Sequence, residues 1–381
     1  VEFQWSDDQR EFRAGLRRLL AARAPVSRAR ELAENGTRHD PALWRDLAQQ
    51  VGTHGIAVPE AYGGSDGSWV ELAIVGEEMG RVLLGGPFLS TVVLAGEALL
   101  ASGDPAACEE HLTRIVAGEL TAALAVAEAA AGWDAAALQT TAAGSRLTGT
   151  KEVVLDGAEA DLLIVAAQGE DGPSLYLVDG AADGVVRTPL EVLDPTRQVA
   201  RVELRDAPAT LLGAAGSAAA VLEHVLRVAS IFVAAEQAGG SAVCVEMTAD
   251  YARTRRQFGR VIGAFQGVKH RLADAAVRTE LCRSTAYWAA WQVPGSDESY
   301  LGAAVARAHN NDAYVQTAKD AIQLHGGIGF TWEHDAHLFL RRARADASLL
   351  GSSRDHRARL LPLVAGTGTV PATPRPAGVL A

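Results

Sequence analysis

Two stretches of this chain hold residues whose types and spacing could bind a ligand. The first is Tyr251-Ala252-Arg253-Thr254-Arg255-Arg256-Gln257-Phe258-Gly259, followed by Phe265-Gln266-Gly267-Val268-Lys269-His270. The second is Gln323-Leu324-His325-Gly326-Gly327-Ile328-Gly329-Phe330-Thr331-Trp332-Glu333. An arginine fork matches the oxygens of a pyrophosphate. Glycine lets backbone approach a ligand closely. Each stretch also has a plain structural reading. Arginines at a helix end form a solvated face, and a Gly-Gly pair after a helix is a C-cap.

The elements that must position these residues follow from length and pattern. The chain has 381 residues, so a size of about 150 residues per domain predicts two to three domains. Residues 1–118 read as helices. Ser6 can cap the first, and Gln9 completes a capping box. Phe12, Leu16, Leu19 and Leu20 recur at helical spacing, and Pro25 marks the end. A second helix follows Asp40-Pro41, and a third carries Leu72, Val75, Met79 and Val82. Residues 91–101 and 106–117 read as helical too. Residues 119–212 change texture. Short β-like runs at 152–155, 162–166, 175–178 and 201–204 lie between Gly, Asp and Pro, which predicts an antiparallel β unit. Residues 213–365 return to long helices at 218–252, 266–290, 300–324 and 335–350. Residues 366–381 hold Pro371, Pro374 and Pro376 and read as a mobile tail.

Composition excludes some functions. Lys plus Arg is 35 and Asp plus Glu is 46, a net charge of −11. A general nucleic-acid binder needs a basic face, so no nucleic-acid partner is expected. A few local arginines still suffice for a small anion. Cys108, Cys244 and Cys282 are far apart and form no CxxC pair. That excludes a zinc ribbon and a thioredoxin-like site, and no metal site is expected. The sparse cysteines read as buried small hydrophobes in a reducing, cytoplasmic setting. No apolar run reaches the roughly 18 residues of a membrane span, and no signal-peptide pattern follows Val1.

Together the two stretches resemble the acyl-CoA dehydrogenase family, tetrameric flavoenzymes. Trp44, Val58-Pro59-Glu60, Gly63-Gly64 and Glu77-Glu78-Met79-Gly80-Arg81 look like its N-terminal helical domain. Gly149-Thr150-Lys151 and Ala160-Asp161 look like its middle β domain. The resemblance implies a mostly α fold with a central β domain. Its parts are an N-terminal helical domain, an antiparallel β-barrel-like domain and a C-terminal four-helix bundle. It also implies oxidation of an acyl-CoA thioester to the trans-2-enoyl form. A glutamate removes the α proton while the β hydride passes to flavin N5. In the family, FAD is shared across a subunit interface. By matching residues, Arg255 and Phe258 sit where the neighbour's phosphates are met. Gln266 matches a second cofactor contact. Gln323, Gly326 and Gly327 match a stretch that meets the cofactor through backbone.

Other family positions depart from the pattern. The Thr-Glu-Pro…Gly-Ser-Asp pattern reads Ala127-Glu128-Ala129-Ala130-Ala131-Gly132-Trp133-Asp134 here. Its flavin-contacting Thr is Ala127 and its substrate-contacting Ser is Trp133. An indole has no acceptor and fills space instead. A Trp and a Thr near the flavin ring correspond to Val153 and Leu155, which offer no hydrogen bonds. α-Proton abstraction needs a carboxylate with a raised pKa. One family base position is Leu350 here, in Leu349-Leu350-Gly351-Ser352-Ser353. The other lies 22 residues before Tyr251, at Ala229, and the arginine that normally follows it is Ser230. No catalytic residue is assigned. Glu236 is the remaining candidate base, with Glu128 behind it. Glu333 and Asp335 read as a capped helix start, and Asp355 lies off the helical face of Leu350.

The expected protein is therefore a partner subunit without its own base, completing a flavin site in a second acyl-CoA dehydrogenase subunit. An α2β2 heterotetramer of steroid or fatty-acid catabolism has this pattern in the family. The alternatives are a self-sufficient homomeric dehydrogenase with a non-standard base, and a scaffold repurposed for non-redox work.

Overall fold

The capping box expected at Ser6 opens α1 (Asp7–Arg23) in the computed structural model. The Ser6 hydroxyl accepts from the Gln9 amide at 3.1 Å, and Gln9 Oε1 accepts from the Ser6 amide at 2.9 Å. The structure describes residues 4–36, 39–129, 132–292, 294 and 296–365, so the tail expected at 366–381 lies outside the described residues. Pro25 ends α1 but also starts α2 (Val26–Glu34), a helix the sequence pattern does not separate. Proline's fixed φ suits a helix start. Asp40 caps α3 (Pro41–Gln49), and α4 is Trp69–Arg81. The two stretches expected as plain α-helices contain wider π turns. Phe88–Ala95 runs into α5 (Gly96–Ser102), and α6 (Pro105–Ala107) leads through Cys108–Leu112 to α7 (Thr113–Val116).

The β runs follow as β1 (Ala122–Ala125), β2 (Thr141–Ala143), β3 (Arg146–Leu155), β4 (Leu162–Gly169), β5 (Gly172–Asp179), β6 (Val185–Pro189), β7 (Val199–Pro208) and β8 (Thr210–Leu212). The sheet order is β6-β7-β3-β2-β4-β5-β8, with β1 added beside β4. The unit expected to be antiparallel is mixed. β1 and β4 pair in parallel, Ala122 opposite Leu162, and β2 meets β4 in parallel at Thr141 and Gln168. The β2–β3 hairpin supplies the crossover that a parallel pair needs. β1 is buried at all four residues, so it has no alternation to report its direction. Leu147, Val154, Leu163, Val165, Val202 and Leu204 form the core on this sheet.

Five helices complete the chain: α8 (Ala218–Thr254), α9 (Gln266–Ala290), α10 (Asp297–His325), α11 (Ala336–Asp346) and α12 (Ser353–Val364). β9 (Arg256–Gln257) and β10 (Arg260–Val261) form a small hairpin between the first two. By length and composition α8 could cross a membrane, which corrects the reading that no segment is apolar enough. Yet 78% of its most apolar window is buried within the protein. Asp335 makes no capping hydrogen bond and pairs with Arg30; the Ala336 amide donates instead to His334 Nδ1 at 3.2 Å. Asp355 forms a capping box with Ser352 at the start of α12. The three cysteines are free and buried, as small hydrophobes would be.

The chain divides into two compact units. The first comprises Val1–Asn35, Ala73–Leu84 and Ser230–Thr367; the second includes Gly36–Leu72 and Gly85–Ala229. In the first unit two adjacent buried carboxylates of α4 hold three helices. Arg13 donates to Glu77 at 2.6 Å and to Glu78 at 2.9 Å, and Arg17 donates to Glu78 at 2.6 and 2.8 Å. From α9, Arg283 donates to Glu77 at 3.0 Å and the Tyr287 hydroxyl at 2.8 Å. Burial opposes the Glu77 charge, but Arg13, Arg283 and Tyr287 outweigh it and hold the carboxyl below its usual range. In the second unit the buried Lys151 ammonium donates to Glu128 Oε1 at 2.6 Å and to the Val126 carbonyl at 3.3 Å. The Gln139 and Thr140 amides also donate to Glu128, at 2.5 and 3.0 Å. Burial lowers the Lys151 pKa to about 8 against the pull of Glu128.

Two outcomes follow for stability. Glu77→Gln should lose roughly 3–5 kcal/mol, because buried arginine charge is left uncompensated; a denaturant midpoint measures it. The depressed folded pKa of Glu77 gives stability that is present above its ordinary value of 4.5 and lost as pH falls through the folded value. The acid limb of the stability profile should therefore flatten in the variant. Lys151→Met should likewise cost roughly 3–5 kcal/mol, and adding Glu128→Leu should recover part of that loss. A double-mutant cycle reads the coupling.

Candidate functional site

The first stretch expected to bind a ligand lies where α8 runs out. Tyr251 O accepts from Arg255 N at 2.8 Å, and Arg255 O accepts from Ile262 N at 2.8 Å, closing the β9–β10 hairpin. Its two turn residues, Phe258 and Gly259, have φ of 51° and 79°. A two-residue turn of this hand suits glycine but strains phenylalanine. Phe258 nevertheless stands 91% exposed. Its ring meets Phe265 edge-on with centroids 6.2 Å apart, and Arg260 lies over the other ring at 4.1 Å. Gln266 follows Phe265 as the first residue of α9 and is exposed, as is Arg255.

The second stretch lies at the end of α10. Gln323 is exposed in its last turn, and Gly326 ends the helix with φ 65°. That backbone needs glycine. Gly327 has an ordinary φ, and a Cβ added there would meet nothing within 4 Å, so the chain itself does not require glycine at this position. The Tyr251 and His325 rings stack with centroids 4.5 Å apart, and His325 stacks on His334 at 4.3 Å. That stack sets the end of α8 beside the end of α10. Arg255, Phe258, Gln266, Gln323, Gly326 and Gly327 are thus gathered at one exposed end of the first unit. No sequence pattern pointed to the ring stack, since Tyr251 lies more than seventy positions from His325 and His334.

The two positions expected for a base are buried and aliphatic. Ala229 and Leu350 are 0% and 2% exposed, and Ser230 is buried beside Ala229 in the chain. Leu350 has φ 60°, an uncommon conformation for a branched residue. Its turn is clamped from α10. The buried Arg307 guanidinium donates to the carbonyls of Asp346 and Leu349 at 2.8 and 2.6 Å, and Asn311 donates to Gly351 at 3.4 Å. Sequence reasoning missed these two residues. The signal available for Asn311 was the polar run His309-Asn310-Asn311-Asp312 within α10; Arg307 had none.

The remaining carboxylates have structural partners. Glu236 is buried against the Arg342 guanidinium, which donates to its Oε1. Glu128 is committed to Lys151 and two backbone amides, as described above. In the altered β motif, Ala127 bridges Val153, and the Glu152 amide donates to the Ala127 carbonyl at 2.8 Å. A register shift between Lys151 and Val154 falls beside that bridge. Trp133 is buried, as a space-filling indole would be.

Comparison with known proteins gives the family. Residues 6–119 match the family model for the acyl-CoA dehydrogenase N-terminal domain, and residues 218–361 match that for the C-terminal domain. The chain is 32% identical over 354 residues to acyl-CoA dehydrogenase IpdE2 of Mycobacterium tuberculosis, covering 93% of this chain and 96% of that protein. It is 37% identical over 350 residues to FadE34 of the same organism, covering 90% of this chain and 46% of FadE34. Among solved structures, the Mycobacterium tuberculosis ChsE4-ChsE5 complex superposes with a TM-score of 0.87 at 28% identity, over 97% of this chain and 100% of that one. The Tcur3481-Tcur3483 steroid ACAD variant gives 0.86 at 31% identity, over 95% and 99%. With helical ends, a central sheet and sequence matches across nearly its full length, the chain belongs to the acyl-CoA dehydrogenase family, whose members are FAD-dependent flavoproteins.

Proposed function

We propose that this chain is the base-less partner subunit of a heteromeric acyl-CoA dehydrogenase. The observation that carries the reading is the pair of buried aliphatic side chains, Ala229 and Leu350, at both base positions. Neither can accept a proton. Glu236 and Glu128 do not replace them, because each faces a buried cation within its own unit.

The residues toward FAD divide into two sets. One set fits the pyrophosphate. Arg255 offers a planar fork, and Gly327 leaves open space that the fold does not use. Gln266 and Gln323 add amide donors, Gly326 shapes the turn, and Phe258 presents a ring for packing. All six are exposed on one subunit, so they can serve a cofactor carried by a neighbour. The other set does not fit a flavin ring. Val153, Leu155 and Ala127 have no side-chain donor, and Trp133 fills volume. FAD supplies hydride acceptance when bound in this family. This chain's residues bind and orient its phosphate end, while the partner supplies the ring contacts and the carboxylate that takes the α proton. The steroid and heteromeric proteins among the structural relatives support an acyl-CoA of steroid catabolism as substrate and an α2β2 assembly.

Purified alone, the chain should be colourless; co-expressed with its partner, it should yield a yellow heteromer that bleaches with an acyl-CoA. Stoichiometric FAD in the isolated chain overturns the proposal. In the heteromer, Arg255→Ala should weaken FAD retention roughly tenfold, the loss of one charged hydrogen bond. Removing the partner's base should abolish bleaching.

A further inference from the structure

We infer that the first unit carries a second small-molecule site, between the start of α1 and the last turns of α9, for a flat ring bearing one anionic group. The cavity there measures about 510 Å³. That lies within the range of about 300–1,000 Å³ typical of small-ligand sites. It shares no residue with the six assigned to FAD, and it goes beyond the proposed function.

Its walls are aromatic. Ser284, Tyr287, Trp288 and Trp291 fall at i, i+3, i+4 and i+7 and so share one face of α9. Trp5 stands opposite, just before the Ser6 cap. Three of the chain's seven tryptophans thus line one cavity.

The walls are also fixed before any ligand arrives. Trp5 meets Tyr287 edge-on at 4.9 Å, and Tyr287 meets Trp291 at 5.8 Å. The Tyr287 hydroxyl is spent on Glu77, and Arg13 lies over Trp5 at 4.4 Å. Preorganised rings lose little entropy on binding.

Charge selects the ligand. Arg283 lines the cavity but is held by Glu77 and Glu280. Arg10 is different: its ion pair is with Asp7, and the two side chains are 55% and 98% exposed. Exposed pairs of this kind are weak and exchange easily. Arg10 can therefore turn to a carboxylate at the rim, with the Ser284 hydroxyl as a second contact. An aromatic or polycyclic carboxylate satisfies both the walls and the rim.

Calorimetric titration of the full chain with 2-naphthoate should show one saturable site per chain. The neutral 2-naphthamide should bind about tenfold more weakly, and Arg10→Gln should weaken the acid by about the same factor. Ser284→Trp should fill the cavity and abolish binding. Arg10→Gln alters a solvated side chain and should leave the unfolding midpoint unchanged, so its loss of affinity cannot come from misfolding. Absence of saturable binding overturns the inference. So does equal affinity for acid and amide, or acid affinity that Arg10→Gln leaves unchanged.

Discussion

Two adjacent carboxylates on one buried helical turn are the constraint on which the first unit rests. Glu77 and Glu78 are 0% and 1% exposed. Uncompensated, each buried charge would cost several kcal/mol. The compensation comes from separate helices: Arg13 and Arg17 on α1, Arg283 and Tyr287 on α9. α8 adds Glu246, which pairs with Arg81 at 2.6 Å, and its backbone comes closer than any side chain would allow. A Cβ on Gly239 would lie 1.9 Å from the Glu77 carbonyl, and one on Gly80 would lie 2.1 Å from the Glu236 carbonyl. Glycine at both crossings lets backbone touch backbone. Four helices are thereby fixed around one turn, and the far end of α8 is where Arg255 and Phe258 emerge.

The second unit uses a smaller version of the same device. Glu128, in the motif expected to face a flavin, and Lys151 on β3 form a structural pair. This pair is satisfied within the protein, whereas Ala127, Val153 and Leu155 nearby carry no polar side-chain group and Trp133 is buried. The Leu350 side chain is likewise apolar and buried. An unpaired carboxylate buried at this position would be a liability, and leucine avoids it. Leu350 has a positive φ, a strain of about 1–2 kcal/mol, held by Arg307 and Asn311.

Much of this was legible in the sequence, for reasons of range. α9 has the bounds its periodicity predicts, and the Ser6 capping box closes as spelled, because both depend on residues within a few positions. The β runs were legible for the same reason. The parallel β1–β4 pairing was not, since a four-residue strand buried throughout carries no alternation. α2 was hidden by Pro25, which signals an end and a start alike. The ion pairs were least legible. Glu236 stood as a candidate base until Arg342 appeared beside it, more than a hundred residues away in sequence. Spacing locates residues on a helix face, but it cannot report which distant cation that face will meet.

The exposed end of the first unit makes the strongest physical case for assembly. Phe258 combines a positive φ with 91% exposure. The conformation costs about 1–2 kcal/mol, and leaving a large apolar side chain in water forgoes about 1.5–3 kcal/mol. Its edge-on contact with Phe265 does not offset that sum. Phe330 and Trp332 lie nearby in sequence to Gly326-Gly327 and are 70% and 49% exposed. A single exposed apolar residue is ordinary. A strained one, set beside an arginine fork and a glycine the fold does not need, is different. Each feature is unfavourable or purposeless within one chain, and on the proposed reading all three become favourable together when a neighbouring subunit brings an anionic cofactor against this end.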